Sequence, residues 1–135
     1  MEIHGIPVDF DPLFLGVAYT EGLWPLTSII VGAEWGALDA RERQGVLLHE
    51  AHHCLAWHMA LRILWAPFCW TKIVQRWTRE QELSCDAFAV REGYGLELLL
   101  FVNRRAGERS VFYPSRDERV ANILAVMQGM DHGRS

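Results

Sequence analysis

Several classes of protein are made improbable by what this chain lacks. It has only three cysteines and no C-x-x-C spacing, which argues against a disulfide framework and favours a reducing compartment. It has no basic run and a net charge of −4, so nucleic acid is not expected as a partner. The N-terminus has no secretory signal pattern, and we expect a cytoplasmic protein. Without repeats or linkers, residues 1–135 predict a single domain, with residues 1–12 and 130–135 as peripheral tails.

The longest apolar run covers residues 54–70 and reads CLAWHMALRILWAPFCW. His58, Arg62 and Pro67 interrupt it, and it is shorter than the roughly 20 residues that span a bilayer. One interpretation is a core helix followed by a buried loop. The other is an exposed patch that makes peripheral contact with a membrane or binds a partner.

The sequence His49-Glu50-Ala51-His52-His53 has the pattern H-E-x-x-H. On a helix, residues four apart share one face, so the imidazoles of His49 and His53 can bind one metal ion. Glu50 can then act as the general base on a water molecule at that metal. This chemistry is that of a zinc peptidase, and we predict Zn²⁺ as the cofactor.

The flanking residues predict a helix for this motif. Asp39 and Glu42 form a capping box, so the helix should begin near Ala40, and its apolar spacing continues towards Leu64. Upstream, residues 13–20 and 26–31 are rich in β-branched and aromatic side chains and predict a β-hairpin.

Three further helices are predicted downstream. Thr78 and Gln81 form a second capping box, so a helix should begin after Thr78 and end at Gly93 or Gly95. Residues 95–105 predict a third helix, and Ser115 with Glu118 predicts a fourth over residues 116–128. The fold class is therefore α+β, dominated by helices, with a small antiparallel sheet.

A catalytic zinc site needs a third protein ligand. Glu82 and Asp86 lie four residues apart on one helix face, so Glu82 is the leading ligand and Asp86 is expected to accept the free N–H of a ligating imidazole. Glu80 is the next choice. The remaining histidines are weaker candidates: His52 and His58 do not share the motif's face, and the near-terminal His4 and His132 stay open as alternatives.

These motifs together resemble the gluzincin metallopeptidases. The order H-E-x-x-H, then E-x-x-x-D within QELSCDAFAV, is similar to the CAAX prenyl protease and HtpX group and to the peptidase domains of penicillin-sensing receptors. LTSIIVG and LDARERQGVLLHEAHH resemble the strand and active-site helix of that group, and YPSRDERV resembles its H-P-x-x-x-x-R-[I/V] element. The similarity covers about residues 13–125, and the short chain is closest in size to stand-alone minimal gluzincins.

The resemblance implies a minimal zincin fold and the same roles for the motif residues. It also implies that residues 26–32 form an edge strand to which a peptide or protein substrate adds. Tyr113 stands where the family has histidine; its phenol could stabilise an oxyanion, or it could be a packed loop aromatic. Arg119 either pairs with a carboxylate near the site or is a surface cation.

The sequence therefore predicts a zinc-dependent endopeptidase. One alternative is a zinc-binding domain that is non-catalytic or latent and binds a peptide or partner through its edge strand. In that case a fourth protein ligand, such as Asp131 or His132 from the tail, would close the site. A second alternative is a membrane-associated protease.

Overall fold

The sheet has four strands in the order β1-β2-β4-β3. The computed structural model describes residues 1–107 and 110–133. The strands are β1 (Glu2–Ile3), β2 (Ile6–Phe10), β3 (Ala18–Leu23) and β4 (Leu26–Val31). β3 and β4 pair antiparallel, which confirms the predicted hairpin. β2 and β4 pair parallel, so the sheet is mixed and not antiparallel as predicted.

Five α-helices follow the sheet. They are α1 (Ala40–Leu55), α2 (His58–Trp65), α3 (Lys72–Ala89), α4 (Gly95–Arg105) and α5 (Arg116–His132). Short 3₁₀ turns occupy Ala33–Ala37 and Ala66–Phe68, and a π-helical turn at Val90–Tyr94 joins α3 to α4. The helix-dominated α+β fold class is confirmed.

Two further predictions about the sheet were wrong. Residues 1–12 are not a peripheral tail, because they supply β1 and β2, and Ile6 and Val8 of β2 are buried in the core. Residues 26–32 are not an edge strand either, because β4 lies between β2 and β3. Among the described residues, β1 and β3 are the two edge strands, and β3 is the one that contacts both α1 and α2.

Two of the three helix starts that were predicted from capping boxes are correct. The side chains and backbone amides of Asp39 and Glu42 bond reciprocally at the start of α1. Ser115 and Glu118 do the same at the start of α5. α4 also has the predicted bounds of 95–105. The two capping boxes are satisfied by atoms within a few residues of the helix end.

The metal-motif helix is shorter than predicted. It ends at Leu55, and Trp57 adopts a left-handed backbone conformation with φ of 58° before α2 begins at His58. This conformation is uncommon for a bulky residue and needs support from its surroundings. The break redirects the chain, so α2 folds back beside the end of α1 instead of extending it.

The second and last helices also differ from their predicted bounds. α3 begins at Lys72, where Thr71 accepts a hydrogen bond from the Val74 amide, and Thr78 lies inside the helix and donates to the Val74 carbonyl. The Thr78 capping box was therefore wrong. α5 continues through Gly129 to His132, since Met130 packs against the core, so residues 130–132 are helical and residues 134–135 lie outside the described part.

The core lies between one face of the sheet and the helices. α1 is central, because it packs against β3, α3 and α4. The buried apolar side chains come from every layer: Ile6, Val8, Ile29, Val31, Leu47, Leu48, Ala51, Cys54, Val90, Leu98, Val102 and Ile123. In residues 1–107 and 110–133, no helix combines the length and the apolar character that a bilayer crossing requires.

Candidate metal centre

The two motif histidines lie one turn apart on α1. Both are buried, and their ring centroids are 5.1 Å apart. Their apolar neighbours Leu47, Leu48 and Ala51 hold the opposite side of α1 in the core. The helix is thus fixed by packing, and the imidazoles are held facing α3.

Glu82 of α3 brings a buried carboxylate to these rings. Its Oε2 is 3.3 Å from Nε2 of His49, and its Oε1 is 3.4 Å from Nε2 of His53. Donor atoms bound about 2.0–2.1 Å from a tetrahedral zinc ion lie about 3.3–3.4 Å from one another. Each separation between nitrogen and oxygen falls in the range of two ligands of one metal ion, and the two distances end on different oxygens of Glu82.

Asp86 binds the Nδ1 side of His49, and Arg119 binds Asp86. Oδ1 of Asp86 is 2.8 Å from Nδ1 of His49, and the Arg119 guanidinium donates to both Asp86 oxygens at 2.8 and 2.6 Å. Burial disfavours ionised Asp86, but the hydrogen bonds from Arg119 and His49 outweigh it and lower its pKa. Asp86 is therefore an ionised acceptor that fixes the His49 ring with Nε2 towards Glu82.

The same carboxylates control the protonation of His49 when no metal is bound. Burial disfavours the imidazolium, yet the hydrogen bonds to Asp86 and Glu82 outweigh it and raise the pKa of His49 to about 10. Burial likewise opposes ionisation of Glu82, but the hydrogen bonds with His49 and His53 hold the pKa of Glu82 well below its usual range. A cation is thus favoured between these groups, as a proton or as a metal ion.

His58 supports His53 in a corresponding way. The Nδ1 atoms of the two rings are 3.0 Å apart, and His58 is buried. Burial, followed by the nearby histidines and Arg62, lowers the pKa of His58 to about 3. A neutral His58 can accept a hydrogen bond from Nδ1 of His53 and leave Nε2 of His53 free for a metal.

Cys85 is a further potential ligand. His49, His53 and Cys85 form a buried group whose ligand atoms lie within 4.8 Å of one another and could hold a metal ion. Burial and the nearby carboxylates raise the pKa of the Cys85 thiol far above its usual range, and its Sγ lies 3.5 Å from Nδ1 of His58. Cys85 does not line the cavity that Glu82 lines with both histidines, so Glu82 is better placed for an open site.

The general-base candidate Glu50 faces that cavity beside β3. The cavity has a volume of about 430 Å³ and is lined by residues 17–20 together with His49, Glu50, His53 and Glu82. Oγ1 of Thr20 donates to Oε2 of Glu50 at 2.8 Å, and it lies 3.1 Å from the Glu50 backbone carbonyl. Thr20 therefore anchors the Glu50 carboxylate to the edge strand.

Two more side chains on the cavity wall bear on the predicted site. Tyr113 lines the cavity and is half exposed, and its backbone amide bonds Ser110. Arg62 of α2 donates to Oε1 of Glu82 at 2.6 Å and to Gln81 at 2.9 Å. Arg62 thus neutralises one oxygen of Glu82 and leaves the other near His49.

The alternative ligands lie elsewhere. Glu80 is exposed and pairs with Arg76 at 2.9 Å. The His4 ring lies against Phe88, with centroids 6.1 Å apart. Asp131 lines a separate cavity beside Arg41, and His132 is the last residue of α5. Glu80, His4 and Asp131 therefore lie in other surroundings, and His132 is not among the described residues that line the cavity at the metal motif.

Four side chains at the site were missed at the sequence level: Thr20, His58, Arg62 and Cys85. Cys85 follows Glu82 by one helical turn, so its spacing could have indicated a shared face. His58 was treated as a packed or surface histidine because it did not fit the face of an unbroken helix, and the break at Trp57 invalidates that spacing. Thr20 and Arg62 reach the site only through tertiary packing.

Comparisons with known proteins give no further guidance. No protein-family model matches this chain, and neither a curated protein nor a solved structure gives a significant match. Its function must therefore be inferred from the geometry of the site.

Proposed function

We propose that this protein is a zinc-dependent endopeptidase. The observation that carries the proposal is the convergence of the two imidazole Nε2 atoms on the Glu82 carboxylate at 3.3 and 3.4 Å, on the wall of a cavity that Glu50 also lines. His49, His53 and Glu82 would hold the ion. When bound, zinc supplies Lewis acidity, which lowers the pKa of water and polarises a carbonyl group.

The protein's own side chains then supply proton transfer. Glu50 takes a proton from the attacking water and delivers it to the leaving amine. Thr20 holds the Glu50 carboxylate in place for both transfers, since it bonds Oε2 at 2.8 Å. The Tyr113 hydroxyl donates a hydrogen bond to the developing oxyanion from the cavity wall.

A peptide substrate would bind along β3. This strand has one free side among the described residues, and residues 17–20 line the cavity. Backbone hydrogen bonds to such an edge bind extended peptides with little dependence on their sequence. The edge position of β3 thus replaces the role that the resemblance gave to residues 26–32.

Replacement of Glu50 tests the enzyme assignment. We expect Glu50→Gln to retain zinc and to lose casein cleavage by at least about a hundredfold, because the base is removed and the ligands are not. Glu80→Gln is the matched control, since Glu80 is exposed outside the cavity, and it should retain both properties. A Glu50→Gln protein with full activity would exclude the proposed mechanism.

A second candidate function is favoured by the position of Cys85. If Cys85 completes a four-ligand set with His49, His53 and Glu82, the site is closed and the zinc is structural. The domain would then bind peptides or partners without cleaving them. Cys85→Ala distinguishes the two functions: an open catalytic site keeps its zinc affinity and its activity, whereas a closed site loses affinity.

A further inference from the structure

A group of large apolar side chains is exposed on one stretch of the chain. Six such residues lie within residues 63–77, and each is between 42% and 76% exposed. We call this surface the Trp-rich face; it consists of Ile63, Leu64, Phe68, Trp70, Ile73 and Trp77. The prediction that residues 54–70 form a core helix and a buried loop was wrong, because α2 and the following turn place these side chains at the surface.

The Trp-rich face is held together by packing beneath it. The rings of Trp65 in α2 and Trp77 in α3 are 5.1 Å apart, so the two helices are joined at this surface. Ile73 and Trp77 are four residues apart on α3 and share one side of that helix. The exposed residues thus lie on α2, on the turn that follows it and on the first turns of α3, and the contact between Trp65 and Trp77 joins the two helices.

Cations outnumber carboxylates in the segment that carries this face. Residues 51–79 contain four cationic side chains and no aspartate or glutamate. This segment carries +4 within a chain of net charge −4, so the rest of the chain carries −8. Arg62 points inward to Glu82 and Arg76 pairs with the exposed Glu80, whereas Lys72 is exposed on α3 beside the apolar residues.

Exposed apolar side chains with cations beside them favour an anionic bilayer, rather than a second copy of the chain, as the binding partner. Tryptophan and aliphatic side chains partition into the boundary between headgroups and acyl chains, and nearby cations bind anionic lipids. A symmetric dimer through this face would instead bring two cationic segments together, which costs free energy. The surface thus has the composition of an interfacial membrane-binding site.

We propose that the Trp-rich face docks onto anionic lipid bilayers, with α2 and the first turns of α3 lying in the interface. Docking would place the metal cavity beside the lipid surface. Arg62 and Tyr113 line both the metal cavity and a neighbouring cavity formed by Trp65, Ala66 and Cys69. The proposal does not depend on peptidase activity, since binding to vesicles requires no turnover.

Vesicle binding tests the proposal directly. The full chain is sedimented with phosphatidylcholine vesicles that contain or lack phosphatidylglycerol. A polarity-sensitive fluorophore provides a second readout, because Cys69 is exposed while Cys54 and Cys85 are buried. We expect binding and a blue shift with the anionic vesicles, and weaker binding as salt is added.

Paired variants identify the surface that binds. Phe68→Ser with Trp70→Ser should weaken binding by at least about tenfold, since two interfacial aromatics are lost. Lys72→Gln with Arg76→Gln should weaken it by about fivefold per charge. Leu96→Ser and Arg91→Gln remove an exposed leucine and an exposed arginine outside the Trp-rich face and should leave binding unchanged.

Three results would overturn the proposal. The first is equal binding by the wild type and the two paired variants, with all proteins shown to be folded by circular dichroism. The second is equal binding to neutral and anionic vesicles. The third is self-association in sedimentation equilibrium that Phe68→Ser with Trp70→Ser abolishes, together with no binding to vesicles, which would identify a second copy as the occupant.

Discussion

The Nδ1 atoms of His53 and His58 face each other at 3.0 Å. One nitrogen of the pair must donate and the other must accept, so the ring of His58 determines the tautomer of His53. With the proton on Nδ1 of His53, its Nε2 is a free lone pair directed at Glu82. α1 and α2 therefore act together on a single ligand.

Removal of the His58 imidazole, which accepts the hydrogen bond from His53, should weaken metal binding. We expect His58→Phe to lower zinc affinity by about 10- to 100-fold, as is usual when the hydrogen-bond partner of a ligating histidine is lost. Competition with a fluorescent chelator measures the change. His52→Phe is the control, because His52 stacks on Phe88 and bonds neither ligand. Equal affinities for the two variants would show that His58 does not orient His53.

Asp86 should contribute to the stability of the metal-free fold. Its side chain is fully buried and bonds both His49 and Arg119. Asp86→Asn leaves the largely buried Arg119 cation without its anion, and we expect a loss of about 3–5 kcal/mol in the free energy of unfolding. Urea denaturation with chelator present measures it. Asp117→Asn, on the exposed first turn of α5, should change stability by less than about 0.5 kcal/mol.

The parts of the fold that follow from local chemistry could be predicted from the sequence. The capping boxes at Asp39 and Ser115 are complete within four residues, so they fixed two helix starts. The hairpin of β3 and β4 also joins neighbouring segments. In contrast, β2 pairs with β4 across an intervening strand, and no local pattern reveals that register. The edge strand was consequently assigned to the wrong residues.

The candidate site likewise has one part that follows from local spacing and another that depends on tertiary packing. The pairing of His49 with His53 follows from helical spacing alone. The approach of Glu82 to both rings depends on how α3 packs against α1, which the spacing of Glu82 and Asp86 only suggested. The turn at Trp57 contains neither glycine nor proline, so the position of His58 had no sequence signal.

Metal binding should release a proton from His49. In the metal-free protein the pKa of His49 is raised to about 10, so this imidazole is protonated at neutral pH. A metal ion binds only the deprotonated nitrogen, and the apparent affinity should therefore rise with pH, by up to about tenfold per unit, until the pH reaches that pKa. Calorimetry in buffers of different ionisation enthalpy counts the released protons.

The Asp86→Asn variant provides the comparison for this titration. Loss of the Asp86 charge weakens the hydrogen bond that does most to hold the proton on His49 and removes the attraction of the carboxylate for the imidazolium. We expect fewer protons to be released at neutral pH and a shallower dependence of affinity on pH. An identical proton count in the two proteins would contradict the role given to Asp86.

Thr20 should affect turnover without affecting metal content. Its hydroxyl donates to the Glu50 carboxylate at 2.8 Å, so Thr20→Val frees that carboxylate while leaving the ligands intact. If the protein is a peptidase, we expect kcat to fall by about 10- to 100-fold, since small displacements of a catalytic group are costly. Thr20→Ser keeps the hydroxyl and should restore most of the loss.

Thr27→Val is the matched control for this change. Thr27 is also buried in the hairpin, and its hydroxyl lies near the Cys54 thiol and does not bond Glu50, so the same substitution should have little effect on turnover. Zinc content, measured by mass spectrometry, should be equal in all three variants. A rise in KM with kcat unchanged, or a loss of zinc in Thr20→Val alone, would place Thr20 in the packing of the site rather than in the orientation of Glu50.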